Sequence, residues 1–283
     1  MTIKNIYLIE TEELRTLIEK DEVTIIDTRD PSLFEESHIP GAINIPEMFT
    51  YLVVQENHGL EGLVQKFSSI LRQKGLKRDD SVVIYEDALD NGYGQSCRGR
   101  FLLNYFGHQG SIRVLNGGFR AWRHLNYPLS SEKIDRSPSD YQIIVNTEEM
   151  LTAQDVLAGI DDPNVILLDC RDRAEWVGGS SSPYGVDYCP RRGYIPGAIW
   201  IEWYRMMVHE TSIPWFAETD EILRVCESLE INKDTKVQIY CFKGARASNM
   251  LLAMKMAGIK DVRNYLGSWN EWSRDFDLPI VEY

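Results

Sequence analysis

The sequence predicts an α/β protein made of two copies of one unit, each a parallel sheet with helices on both faces. Three observations carry this. Short apolar runs of strand length alternate with segments whose apolar residues recur at helical spacing, the pattern of parallel strands joined by crossover helices. An ordered set of short segments occurs twice. With 283 residues and 43% apolar content, the chain can bury a core in each of two domains.

In the first copy the stripe Leu14, Leu17 and Ile18 predicts a helix, and Val23 to Ile26 the strand that follows it. Thr24-Ile25-Ile26-Asp27-Thr28-Arg29-Asp30 is followed by His38-Ile39-Pro40-Gly41-Ala42-Ile43, the run Val82 to Tyr85, and Leu115-Asn116-Gly117-Gly118 with Trp122. Each returns in the same order: Ile166-Leu167-Leu168-Asp169-Cys170-Arg171-Asp172, Tyr194-Ile195-Pro196-Gly197-Ala198-Ile199, Val237 to Tyr240, and Leu266-Gly267-Ser268 with Trp272. The offset between copies grows after Asp172, so Gly178 to Arg192 is an added loop of the second copy. Pro128 to Asp140 is polar, holds two prolines and has no period. The predicted division is therefore 1–128, a linker at 129–141, and 142–283.

The net charge of −13, from 30 basic and 43 acidic residues, argues against nucleic acid or an anionic membrane as partner. Met1 to Leu14 has no apolar stretch of signal-peptide length, and Leu251 to Ile259 is broken by Lys255, so a soluble, cytoplasmic protein is expected. Five irregularly spaced cysteines suit reduced thiols better than disulfides or a zinc site, and no metal or organic cofactor is implied. Cys97 and Cys226 read as core packing and Cys170 as the end of a strand, while Cys189 is the one of these four expected to be exposed.

Against this acidic background stands Cys241-Phe242-Lys243-Gly244-Ala245-Arg246. It follows a strand and precedes Ala247, Met250, Leu251 and Met254, which recur at helical spacing. Cys241 is thus expected on a tight strand-to-helix turn, at the carboxyl end of a parallel strand, where open α/β sheets bind ligands. Loop N–H groups, the helix N-terminus, Lys243 and Arg246 all favour a thiolate there. In the first copy the aligned position is Glu86, in Tyr85-Glu86-Asp87-Ala88-Leu89-Asp90, which supplies no nucleophile; Cys97 lies too far along to replace it. His38 aligns with Tyr194, so the second copy has no local general base, and an activated thiolate needs none.

The repeat and the cysteine loop together resemble the tandem rhodanese family, the thiosulfate and 3-mercaptopyruvate sulfurtransferases. The marks are Asp-x-Arg followed by Ile-Pro-Gly-Ala in each half, Val114-Leu115-Asn116-Gly117-Gly118-Phe119-Arg120-Ala121-Trp122, and Cys-x-x-Gly-x-Arg at Cys241. The resemblance implies a doubly wound five-stranded parallel sheet per domain, an inactive first domain and a catalytic second one. It also implies a ping-pong reaction in which Cys241 takes a sulfur as persulfide and passes it to cyanide, sulfite or a thiol, a protein thiol included.

Loop N–H groups would stabilise the anionic persulfide, and Gly244 permits the tight turn between Phe242 and Ala245. Arg171 matches the family's substrate-binding arginine, and Lys243 matches the thiosulfate type, so Arg171, Lys243 and Arg246 are the expected contacts for a small anionic sulfur donor. For Arg246 a loop-fixing latch is an equal reading; Phe242 reads as packing, and Asp169 as a brace accepting N–H bonds. Phe242 and Ala245-Arg246 depart from both patterns, which keeps 3-mercaptopyruvate open as donor. Rival classes are a persulfide carrier without turnover and a cysteine phosphatase or arsenate reductase. The phosphatase loops resemble Cys-x5-Arg, whereas only Phe242, Lys243, Gly244 and Ala245 stand between Cys241 and Arg246.

Overall fold

The computed structural model describes residues 6–87, 93–208 and 212–282. Part of the N-terminal stretch and Ala88 to Asp90 of the first-copy loop lie outside them. The chain forms two compact units. The first comprises Met1–Tyr51, Leu60–Asn146 and His209–Phe216, the second Leu52–Gly59, Thr147–Val208 and Ala217–Tyr283.

The first unit runs β1 (Leu8–Ile9), α1 (Thr11–Glu19), β2 (Thr24–Asp27), α2 (Pro31–Glu36), β3 (Ala42–Asn44), α3 (Glu47–Thr50), α4 (Gly59–Gln73), β4 (Val82–Tyr85), α5 (Gln95–Tyr105), β5 (Ile112–Leu115) and α6 (Gly118–His124). Among the described residues its sheet has five strands in the order β1-β5-β4-β2-β3, all parallel. Every residue of β2 and β4 is buried, because helices cover both faces; such strands read as unbroken apolar runs rather than alternations. Asp30 accepts the N–H of Ser32 and Pro31 takes the first helical position, which starts α2.

The segment 129–141, expected as a linker, belongs to this unit and lies along it. Ser130 pairs with His38, Ser139 donates to the Leu76 carbonyl at 2.5 Å, and Tyr141 is buried with its carbonyl held by Arg72 at 2.9 Å. Most of its side chains are polar and face water, but its backbone is tied down. Phe216, from far along the chain, also joins this unit, its N–H bonding Asn116 Oδ1 at 3.1 Å.

The second unit repeats the order with β6 (Met150–Leu151), α7 (Ala153–Gly159), β7 (Val165–Asp169), α8 (Arg173–Trp176), β8 (Ile199–Trp200), α9 (Thr219–Glu227), β9 (Lys236–Tyr240), α10 (Ala245–Met256), β10 (Asp261–Tyr265) and α11 (Ser268–Trp272). Its five described strands are again parallel, in the order β6-β10-β9-β7-β8. The doubly wound, two-copy architecture expected from the repeat is thus present. From Ala245 to Met254 every residue of α10 is buried, so the helix after the cysteine loop is a core helix rather than an amphipathic one. Leu52, from the first half of the sequence, packs on this unit's core, and Glu56 pairs with Arg274 at 3.0 Å. No described helix is long and apolar enough to cross a membrane.

The two copies share one brace. Arg29 and Arg171 each grip the aspartate two residues earlier through Nε and Nη2, at 2.6 to 3.1 Å. Each aspartate also accepts a tyrosine hydroxyl, from Tyr85 to Asp27 at 2.5 Å and from Tyr240 to Asp169 at 2.6 Å. That hydroxyl in turn accepts the backbone N–H of Ile39 or Ile195, the Ile of each Ile-Pro-Gly-Ala. The repeated motifs therefore meet in space: they tie the ends of two adjacent strands to the loop that follows.

Candidate active site

β9 ends at Tyr240, α10 begins at Ala245, and the turn between them holds Cys241. Gly244 takes φ +79°, and a Cβ there would lie 2.7 Å from Leu266 Cδ1 and 2.9 Å from the Leu266 carbonyl oxygen, so only glycine fits. The start of α11 pulls the loop's carbonyls outward: Trp269 N–H bonds the Cys241 oxygen at 3.0 Å and Asn270 N–H the Phe242 oxygen at 2.9 Å. Asn264 and Ser248 hold the Gly244 oxygen at 3.0 and 2.6 Å. With its carbonyls turned away, the loop presents N–H groups to the sulfur, and Gly244 N–H reaches Cys241 Sγ at 3.1 Å.

Cys241 is 1% exposed, and burial alone would push its thiol up. The Cys170 thiol, the Arg246 guanidinium and the N–H groups of Ala247 and Lys243 outweigh it and hold Cys241 well below the ordinary thiol range. The arrangement thus keeps a buried thiolate, able to attack an electrophilic sulfur and to carry a second anionic sulfur atom in the same field.

Arg246 is buried and gripped by Glu175 at 2.6 and 3.1 Å and by Asp172 at 3.2 Å. Its geometry is that of a latch, which also directs a fixed charge at Cys241. Glu175 escaped the sequence reading, although Asp172-Arg173-Ala174-Glu175 has the spacing of a capping box and forms one at the start of α8.

Arg171, expected to contact substrate, is placed in the Asp169 brace. It is fully buried, its Nε and Nη2 are committed to Asp169 and the Gly193 carbonyl while Nη1 is buried with no hydrogen-bond partner among the described residues, and its guanidinium carbon lies 4.5 Å from the Trp269 ring centre. The same contacts recur at Arg29, in the copy with no nucleophile, so the residue's work is the brace. Asp169 likewise accepts from Arg171 and Tyr240 and so fixes the residue before Cys241.

Lys243 is nearly buried, with its ammonium 5.5 Å from the Tyr184 ring centre. Phe242 is buried in the core cluster, 4.9 Å from Tyr184. Tyr184 comes from the added loop 178–192, which carries turns but no helix or strand and is anchored by Arg191 to the carbonyls of Trp272, Ser273, Asp275 and Leu278. Ala245 is buried at the first position of α10.

One cysteine differs from expectation, and another, at its expected strand end, has an unforeseen neighbour. Cys189 is fully buried, not exposed, because its loop folds back on the core around Trp269 and Trp272. Cys170 is adjacent to Cys241: its N–H and its thiol both donate to the carbonyl of Tyr240, the residue before Cys241, at 3.0 and 3.2 Å. The register of β7 against β9 contained that signal, since Asp169 faces Tyr240.

In the first unit Glu86 occupies the corresponding place, with Phe119 N–H on its carbonyl as Trp269 is on that of Cys241. Its carboxylate fills the N–H cradle, accepting from Gly94, Ser96 N–H and Ser96 Oγ at 3.1, 2.5 and 2.7 Å. Burial nevertheless raises Glu86 to about 7.

The model of the rhodanese-like domain matches residues 10–125 and again 152–275. The chain belongs to the rhodanese-like family. As a tandem rhodanese it is similar over its full length to named relatives. A sulfur carrier protein, TtuD, of Thermus thermophilus is 27% identical over 97% of this chain and 96% of its own. A thiosulfate sulfurtransferase of Corynebacterium glutamicum is 28% identical over 89% of this chain and 82% of its own. Among solved structures, EanB in complex with ergothioneine superposes with a TM-score of 0.85 at 22% identity, covering 98% of this rhodanese and 70% of that chain.

Proposed function

We propose that this rhodanese moves a sulfane sulfur from thiosulfate to cyanide or a thiol acceptor through a persulfide on Cys241. The observation that carries the reading is the buried Cys241 sulfur, bonded by the Gly244 N–H at 3.1 Å in the strand-to-helix turn that Arg246 closes. The thiolate attacks the outer sulfur of the donor; the sulfur–sulfur bond breaks and sulfite leaves with the electron pair. The persulfide then gives its outer sulfur to the acceptor and returns Cys241 as thiolate. In this reading 142–283 is the catalytic half and 1–128, with Glu86 in the cradle, the inactive one, joined through 129–141. Five free thiols suit a reducing, cytoplasmic setting.

Thiosulfate as donor rests on Lys243, which stands in the cysteine loop where the thiosulfate type carries a basic residue and is buried beside Cys241. Thiosulfate with cyanide should yield thiocyanate, and Cys241→Ser should abolish it; activity retained in that variant would sink the assignment. Lys243→Ser should raise KM for thiosulfate more than for 3-mercaptopyruvate, and equal change for both would remove the donor argument.

A second reading, a carrier that holds persulfide for a protein acceptor, is favoured by the full-length similarity to a sulfur carrier protein. Mass spectrometry after thiosulfate separates the two: a sulfur on Cys241 that cyanide fails to remove supports the carrier.

A further inference from the structure

Cys170 lies beside Cys241 and has no part in the sulfur transfer proposed above. β7 and β9 are parallel with Asp169 opposite Tyr240, and the Cys170 N–H continues the ladder to the Tyr240 carbonyl. The next residues on each strand, Cys170 and Cys241, are therefore also neighbours, and strand neighbours lie about 4.8 Å apart. Disulfides span Cα separations of roughly 4.4–6.8 Å, so the pair needs little backbone movement to join. Both thiols are buried, at 0% and 1% exposure, away from competing reagents.

The two sulfurs also differ in character. Burial first, and then the neighbouring Cys241, push the Cys170 thiol well up, opposite in direction to Cys241. Cys241 alone then faces the donor as nucleophile, and Cys170 holds a proton in reserve.

We propose that Cys170 resolves the Cys241 persulfide, so that a loaded protein releases its sulfur once as sulfide when no acceptor thiol is present. The Cys170 sulfur attacks the inner sulfur of the persulfide. A Cys170–Cys241 bond forms, the bond to the outer sulfur breaks, and that atom departs with the electron pair and the Cys170 proton as hydrosulfide. The two cysteines are oxidised to a disulfide as the outer sulfur is reduced to sulfide, so the step needs no outside oxidant. A dithiol reductant restores both thiols for the next cycle. The step rests on the persulfide reading above.

The test loads reduced wild-type, Cys170→Ala and Cys170→Ser proteins with thiosulfate, and in parallel with inorganic polysulfide, which gives sulfur to a thiolate without a donor site. After desalting, the proteins are followed with no acceptor added. The wild type should release about one sulfide per persulfide, with peptide mapping finding Cys170 joined to Cys241. Both variants should keep the added sulfur on Cys241 at least about tenfold longer. A wild-type persulfide as long-lived as that of the variants, or sulfide released with both cysteines recovered as free thiols, would overturn the proposal. Loading by polysulfide alone, followed by resolution, would support it while removing the donor reading. Loading by thiosulfate without resolution would do the reverse.

Discussion

Arg246 holds Glu175 through two guanidinium hydrogen bonds, of 2.6 and 3.1 Å, and Glu175 in turn accepts the N–H of Asp172 at 3.2 Å. The charge that favours the Cys241 thiolate is therefore fixed by a residue of another helix. Arg246→Met should move the thiolate titration of Cys241, followed by ultraviolet absorbance, upward towards the ordinary thiol range. The acid limb of the pH–rate profile should move with it, since only the thiolate attacks. An unmoved titration would show that the loop N–H groups suffice.

Glu175→Gln should act in the opposite sense on the thiol. It removes a negative charge near the sulfur, lowering the Cys241 pKa further, but leaves Arg246 buried with only the half-exposed Asp172 as counterion. Breaking a buried pair costs about 3–5 kcal/mol, and the remaining Asp172 places this case at the low end. Chemical denaturation measures the loss.

Arg171→Lys and Arg29→Lys should destabilise their units by similar amounts, on the order of 2–4 kcal/mol, because an ammonium cannot reproduce the fork on the aspartate. Folded Arg171→Lys should keep its KM for thiosulfate. A raised KM with undiminished stability would restore Arg171 as a substrate contact.

Gly244→Ala should cost more than Gly185→Ala. Both positions have positive φ, worth about 1–2 kcal/mol for an added side chain. A Cβ at Gly185 meets nothing within 4 Å, while one at Gly244 meets Leu266 at 2.7 and 2.9 Å and must shift the loop. Thermal melts should rank the variants in that order, and persulfide formation should fall only in Gly244→Ala.

Glu86→Gln should remove a pH dependence from the first unit. The folded carboxyl titrates at about 7, above its unfolded value, so the folded state binds the proton more tightly. Stability from this group is present below the unfolded pKa and lost as pH rises through about 7, by at most roughly 3 kcal/mol. The wild type should therefore lose stability relative to Glu86→Gln between pH 5 and pH 8, and parallel profiles would count against a buried, proton-binding Glu86.

The parallel sheets were legible because buried strands such as Val82 to Tyr85 are continuously apolar, and the repeat supplied their order. Cys241 was legible from the strand-loop-helix pattern around it. The partner of Arg171 was not legible, because a resemblance transfers a charge without its partner: only the fold shows the guanidinium paired with Asp169. Cys170 and Glu175 were missed for the opposite reason. Each lies some seventy positions from the residue it touches, and strand register or helix placement, rather than local spacing, brings them together.

The exchange of short segments between the two units bears on how the chain is made. The first unit includes Phe216, which leaves the ribosome long after 1–146, while the second draws on Leu52 and Glu56, made before it. Domains usually fold one after another during synthesis. Here the last piece of the first unit is made only with the second half, so no single cut in the gene separates the two units cleanly.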